Sequence, residues 1–133
     1  MPVIFFCVLT FLPRASSTYA SNYEHKSFLC STQSHSVKGG FVFTNNIEVV
    51  KYNILISSNG KNFIKQTLHC YKTIDDRVLI SLDSLVNGCG KYHSYINSES
   101  LIYNVPFKDK ILYAQCKLYD SNLESKLEES LNK

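Results

Sequence analysis

Asn45-Asn46-Ile47-Glu48-Val49-Val50-Lys51-Tyr52-Asn53-Ile54-Leu55-Ile56-Ser57-Ser58-Asn59-Gly60 is the stretch on which the fold class turns. Asn45 is able to cap a helix, and Glu48, three residues on, to reach back to it, as in a capping box with Asn in the Ser/Thr position. Ile47, Val50, Ile54 and Leu55 fall on one helical face. Gly60 offers the left-handed conformation with which many helices end. The stretch therefore predicts a helix, the principal one of the chain.

On its N-terminal side, residues 21–40 are polar and Ser-rich and read as a leader loop or short hairpin anchored by Cys30, followed by a short strand at 41–44. On its C-terminal side, Phe63, Thr67 and Cys70-Tyr71 fit neither period. Residues 77–86 are rich in Val, Leu and Ile and read as a strand. Asn87-Gly88-Cys89-Gly90 marks a turn, and residues 91–96 read as the returning strand. Residues 101–107 and 111–119 read as two more strands about a turn at Lys108-Asp109-Lys110. From residue 120 the chain is polar, with Leu123, Leu127 and Leu131 at a spacing that suits a short terminal helix or a frayed tail. The sum is an α+β domain, one main helix packed on an antiparallel sheet.

Val3-Ile4-Phe5-Phe6-Cys7-Val8-Leu9-Thr10-Phe11-Leu12 is an apolar run of roughly ten residues, the length of a signal-peptide core and about half of what spans a bilayer. Small residues follow, so cleavage is expected after Ala20, or after Ser17. The alternative, a buried N-terminal strand, is disfavoured by the abrupt Pro13-Arg14 and Ser-rich boundary. Residues 21–133 then form one domain, expected to be secreted, monomeric and without a membrane partner.

Cys30, Cys70, Cys89 and Cys116 remain after such cleavage, an even number for an oxidising compartment. Three pairings are open to them. Cys30–Cys116, stapling the two ends of the domain, and Cys70–Cys89 are favoured. No C-x-x-C and no suitably spaced His accompany them, so neither metal nor cofactor is expected.

The formal net charge of +3 is too small to argue for nucleic acid on its own. The distribution is uneven, with Lys51, Lys61, Lys65 and Lys72 in a window free of acids. Tyr71 and other tyrosines interleave with these lysines, so Lys51, Lys61, Lys65, His69, Tyr71 and Lys72 are the candidate contacts to RNA or to a partner. No G-x-S-x-G or phosphate-cradling loop is present. His69 and His93 suit acid–base chemistry by residue type alone.

Three stretches are similar to the small fungal guanyl-preferring ribonucleases. Gly40-Phe41-Val42-Phe43-Thr44-Asn45-Asn46-Ile47 resembles that family's entry to its helix. Asn59-Gly60 sits where that helix ends, and Ser100-Leu101-Ile102-Tyr103-Asn104-Val105-Pro106-Phe107 resembles a catalytic strand. Phe28-Leu29-Cys30 is close to the Tyr-x-Cys of the ribonuclease-like candidate secreted effectors of powdery mildew fungi, which the chain resembles more. Departures bear on activity. Asn104 or a neighbour stands where the enzymes carry a Glu base. Leu68-His69-Cys70-Tyr71 lacks the expected Pro, Asp76-Arg77-Val78 comes too early in the chain, and no His follows His93. The resemblance implies a ribonuclease-like scaffold without catalytic residues. It points to a secreted, virulence-associated effector that binds a host protein or RNA, with delivery into host cells as an extension. An active secreted ribonuclease and an unrelated small disulfide protein are the alternatives.

Overall fold

The computed structural model describes residues 23–34 and 36–131. The expected leader, residues 1–20, lies outside them. Eight strands and one helix follow in order: β1 (Ser27–Ser31), β2 (Val37–Phe43), β3 (Glu48–Ile56), β4 (Asn62–Ile74), β5 (Arg77–Ser84), β6 (Tyr92–Asn97), β7 (Ile102–Phe107), β8 (Lys110–Leu118) and α1 (Leu123–Leu131). Each strand pairs antiparallel with the next, and β8 pairs back onto β1, closing the sheet into a barrel.

This overturns the expected helix on a sheet, and with it the ribonuclease-like scaffold. The decisive stretch is β3, a strand. Asn45 makes the hydrogen bonds of a cap: its Oδ1 accepts from the N–H groups of Ile47 and Glu48 at 2.9 and 2.8 Å, and its amide donates to Glu48 Oε1 at 2.8 Å. Those bonds close a turn that feeds a strand. Val49, Val50, Ile54 and Ile56 are β-branched and favour it. Gly60 does adopt a positive φ, of 83°, but in the β3–β4 hairpin turn rather than beyond a helix.

Alternation along the strands sets the interior. Phe28, Phe41, Phe43, Val49, Tyr71, Val78, Ile80, Ile96 and Tyr103 form the core together with Cys30 and Cys116. The filling is aromatic. Phe43 meets Tyr71 edge-on at 4.7 Å between centroids, and Phe41 meets Tyr103 at 4.9 Å. Tyr23 packs on Phe28 and Phe43, and the Tyr71 hydroxyl donates to the Asn45 carbonyl at 2.6 Å. These contacts plug the end of the barrel at which β1 begins.

Outward positions of β1 to β4 form a second cluster. Leu29, Val42, Tyr52, Ile54 and Ile64 receive Leu123 and Leu127 of α1, both buried. Asn122 starts that helix, its Oδ1 accepting the Ser125 N–H at 2.8 Å. Gly40 lets β1 approach, because a Cβ there would run into the Phe28 carbonyl oxygen, and it would also lie 2.9 Å from a Leu123 methyl of the helix.

The bridges are Cys30–Cys116 and Cys70–Cys89. Cys30 and Cys116 are direct cross-strand partners of β1 and β8, so their bridge crosses the seam at which the barrel closes. Cys70–Cys89 ties β4 to the turn after a 3-10 segment at Leu85–Asn87.

Candidate functional site

The end of the barrel opposite the plug is open. Here β1 ends, β2 starts, and the β3–β4, β5–β6 and β7–β8 connections lie. A cavity of about 130 Å³ enters the lumen there, walled by Phe41, Tyr103, Val105, Leu112 and Ala114, with Lys38, Lys51 and Asn53 as polar lining. Eight strands enclose an interior just wide enough to be filled by side chains or to hold one small ligand. This barrel does the first at its plugged end and leaves room at the other.

Lys51 is the unusual member. It follows Val49 on the lumen face of β3 and pairs across to Thr67 on β4. Its ammonium sits 5.5 Å from the centroid of the Tyr103 ring. Beside it His69 is buried, with Nδ1 3.0 Å from the Ser81 carbonyl, which makes that nitrogen the donor, and Nε2 2.7 Å from Thr67 Oγ1. Burial, and then the Lys51 charge, push the His69 pKa below its ordinary value, against the opposing pull of the Ser81 and Asp83 backbone. His69 is thereby a neutral, doubly bonded part of the wall.

The β3–β4 hairpin projects beyond the rest of the rim. β4 pairs with β5 only from His69 onward, so residues 62–68 bond to β3 alone. α1 supports the outer face of this arm through Ile54 and Ile64. Leu55 and Phe63, paired across its inner face, are 39 % and 42 % exposed.

Exposed apolar groups concentrate at this end. Leu55, Ile56, Phe63, Leu82, Val86, Phe107, Ile111, Leu112 and Tyr113 lie on it; of the large exposed hydrophobics, Ile47, Ile74 and Leu118 lie at the other. Charge follows the same division more weakly. Lys38, Lys61, Lys65, Lys91, Lys108 and Lys110 surround the open end with Asp83 and Asp109, while Glu24, Glu48, Asp75, Asp76, Glu99 and Asp120 lie toward the plug together with Lys26, Lys72, Arg77 and Lys117.

Of the residues expected to contact RNA or a partner, Lys51, Lys61 and Lys65 come together at the open end, with His69 in the wall below. Tyr71 is in the core, and Lys72 lies on the plugged half with its ammonium 4.4 Å from the Tyr92 ring centroid. The six do not form one surface. Asn104 is buried on β7 between its cross-strand neighbours Tyr95 and Tyr113, its amide donating to the Ile102 carbonyl at 3.0 Å. Val105 and Leu112 were not among the candidate contacts, and Tyr103 counted only as one of the tyrosines able to stack on bases, because only barrel closure brings β7 and β8 opposite β3.

No family model, curated protein or solved structure matches the chain. The likeness to the mildew effectors thus rests on its short motifs alone. Among the described residues, no helix is long and apolar enough to cross a membrane.

Proposed function

We propose that this chain is a secreted, non-enzymatic binding protein that captures a partner protein at the open end of its barrel. The observation that carries the reading is the gathering of most exposed large apolar side chains, interleaved with lysines, at that end. Exposed apolar side chains concentrated on one end of a small protein are the mark of an interaction site. Secretion is supported by the apolar run at residues 3–12 and by the two disulfides. A host-directed role keeps only the Phe28-Leu29-Cys30 likeness in its favour, since the ribonuclease scaffold has gone.

Absence of catalysis is the better reading of the site chemistry. The cavity lining carries no carboxylate, no Ser, Thr or His, and its Cys30 is held in a disulfide. Both His69 nitrogens are engaged, and an amide, Asn104, cannot serve as a base. A protein partner suits this end better than RNA, because aliphatic side chains such as Leu55, Ile56 and Val86 gain nothing from phosphate or sugar.

A photo-crosslinking residue placed at Phe63, and in a second chain at Ile74, tests this. The expected outcome is a discrete protein adduct from position 63, absent from position 74 and lost when Lys61 and Lys108 are changed to Glu. A nuclease-sensitive adduct instead makes the partner RNA. Cleavage of single-stranded RNA by the purified chain, abolished by His69→Ala, makes the protein a ribonuclease.

A further inference from the structure

We infer that the cavity in the open end is a carboxylate-binding site for a small apolar acid group, with Lys51 as its cationic anchor. The inference rests on reading the open end as a binding surface and names what enters it. Its starting point is a lysine inside a barrel. Val49, two residues before Lys51 on the same face, is fully buried, and Lys51 itself is half-buried against the Tyr103 ring. Among the described residues Lys51 forms no ion pair, and the cavity lining holds no carboxylate. Lysines drawn into protein interiors are otherwise almost always paired. A positive charge held beside apolar walls, open to solvent on one side and lacking a protein counter-ion, is complementary to an anion that brings its own apolar body.

The surroundings define that body. Phe41, Val105, Leu112 and Ala114 line the space with carbon, and Asn53 adds an amide near the charge. The volume, about 130 Å³, approaches the 150 Å³ of an engineered cavity that takes benzene. One aromatic ring or a short alkyl chain fits, and a nucleotide does not. Lys51 within the cavity and Lys38, exposed at its rim, offer point charges without the two-pronged fork of arginine, and the carbon walls leave few donors for the several oxygens of a phosphate, so a carboxylate is the match. The neighbouring imidazole, His69, is held neutral and does not compete for the anion. Two sources share this chemistry: a free small acid, and the terminal carboxylate of a partner chain ending in an apolar residue.

The test is titration of the mature chain, residues 21–133 with both disulfides formed, followed by amide NMR. The probes are benzoate, hexanoate, the neutral isostere benzamide, inorganic phosphate, and a short peptide ending in Phe as free acid or as amide. Saturable shifts at Lys51, Tyr103 and Ala114 are expected with benzoate or hexanoate, at least tenfold tighter than with benzamide. If only the peptide acid produces them, and its amide does not, the source is a partner terminus and the carboxylate site stands. Lys51→Met should weaken binding at least tenfold. Leu112→Trp, which fills the cavity and keeps the lysine, should abolish it and guards against a folding defect in the first variant. Equal binding of benzoate and benzamide, equal binding by Lys51→Met, tighter binding of phosphate, or no shift with any probe overturns the proposal. Crosslinking from position 63 together with no shift from any probe would sink the cavity while leaving the open end as a docking surface.

Discussion

His69 illustrates how a single side chain is fixed by its neighbours. Its pKa is lowered chiefly by burial and then by Lys51, so the folded chain resists protonation there while the unfolded chain titrates near the ordinary 6.5. In that interval the unfolded state binds more protons, and stability must fall as pH drops. The stabilisation is fully present above about pH 6.5 and is lost progressively below it, toward the lowered folded value. Urea unfolding at pH 7.5 and pH 5.5 should give a lower midpoint at pH 5.5, with the difference reduced in His69→Gln. An unchanged difference in that variant would remove His69 as the cause. Little of this was legible in the sequence. His69 stood out only as a residue type, and Lys51 only as part of a lysine-rich window. Their common environment depends on the Val49–His69 and Lys51–Thr67 pairing of β3 with β4.

Elements were legible where apolar content and turn residues agreed. The strands now numbered β5 to β8 follow Val, Leu and Ile runs bounded by Gly, Asn and Asp, and their expected positions lie within a few residues of the observed ones. β3 failed for a physical reason. Its lumen face carries Lys51 and Asn53 where an ordinary core would be apolar, while its outer face carries Val50, and Tyr52 and Ile54 that pack with α1. Two-residue alternation is blurred, and a helical spacing survives by coincidence. The true helix was foreshadowed by Leu123, Leu127 and Leu131. Of these Leu127 is fully buried between α1 and the outer wall, and Leu131 is partly exposed. Leu127→Ala should therefore destabilise the chain by about 2–5 kcal/mol. Leu131→Ala should have a clearly smaller effect in the same urea titration. Equal, small effects would mean that α1 contributes little to the barrel wall.

At the scale of the whole molecule the question is closure. A closed barrel leaves no long free edge beyond its projecting β3–β4 arm, and this one has an apolar, aromatic core toward its plugged end with Gln66, Lys72, Arg77, Gln115 and Lys117 at outward positions. No periodicity along the sequence says that β1 meets β8. The hint lay in Cys30 and Cys116, whose pairing requires the two ends of the domain to meet. Their bridge closes a loop of 86 residues, against 19 for Cys70–Cys89. By loop entropy alone the first contributes about 4.6 kcal/mol and the second about 3.2 kcal/mol. The seam bridge also holds the last strand against the first, and its loss exposes two edges at once. Replacing Cys30 and Cys116 by Ser should thus lower stability by roughly 1 kcal/mol or more beyond the loss from replacing Cys70 and Cys89. It should also make the chain more prone to associate through the freed β1 and β8 edges. Urea midpoints of the two double variants, with light scattering at increasing concentration, measure both effects. A larger loss from the Cys70–Cys89 pair would show that the β4 turn, and not the seam, limits the stability of the barrel.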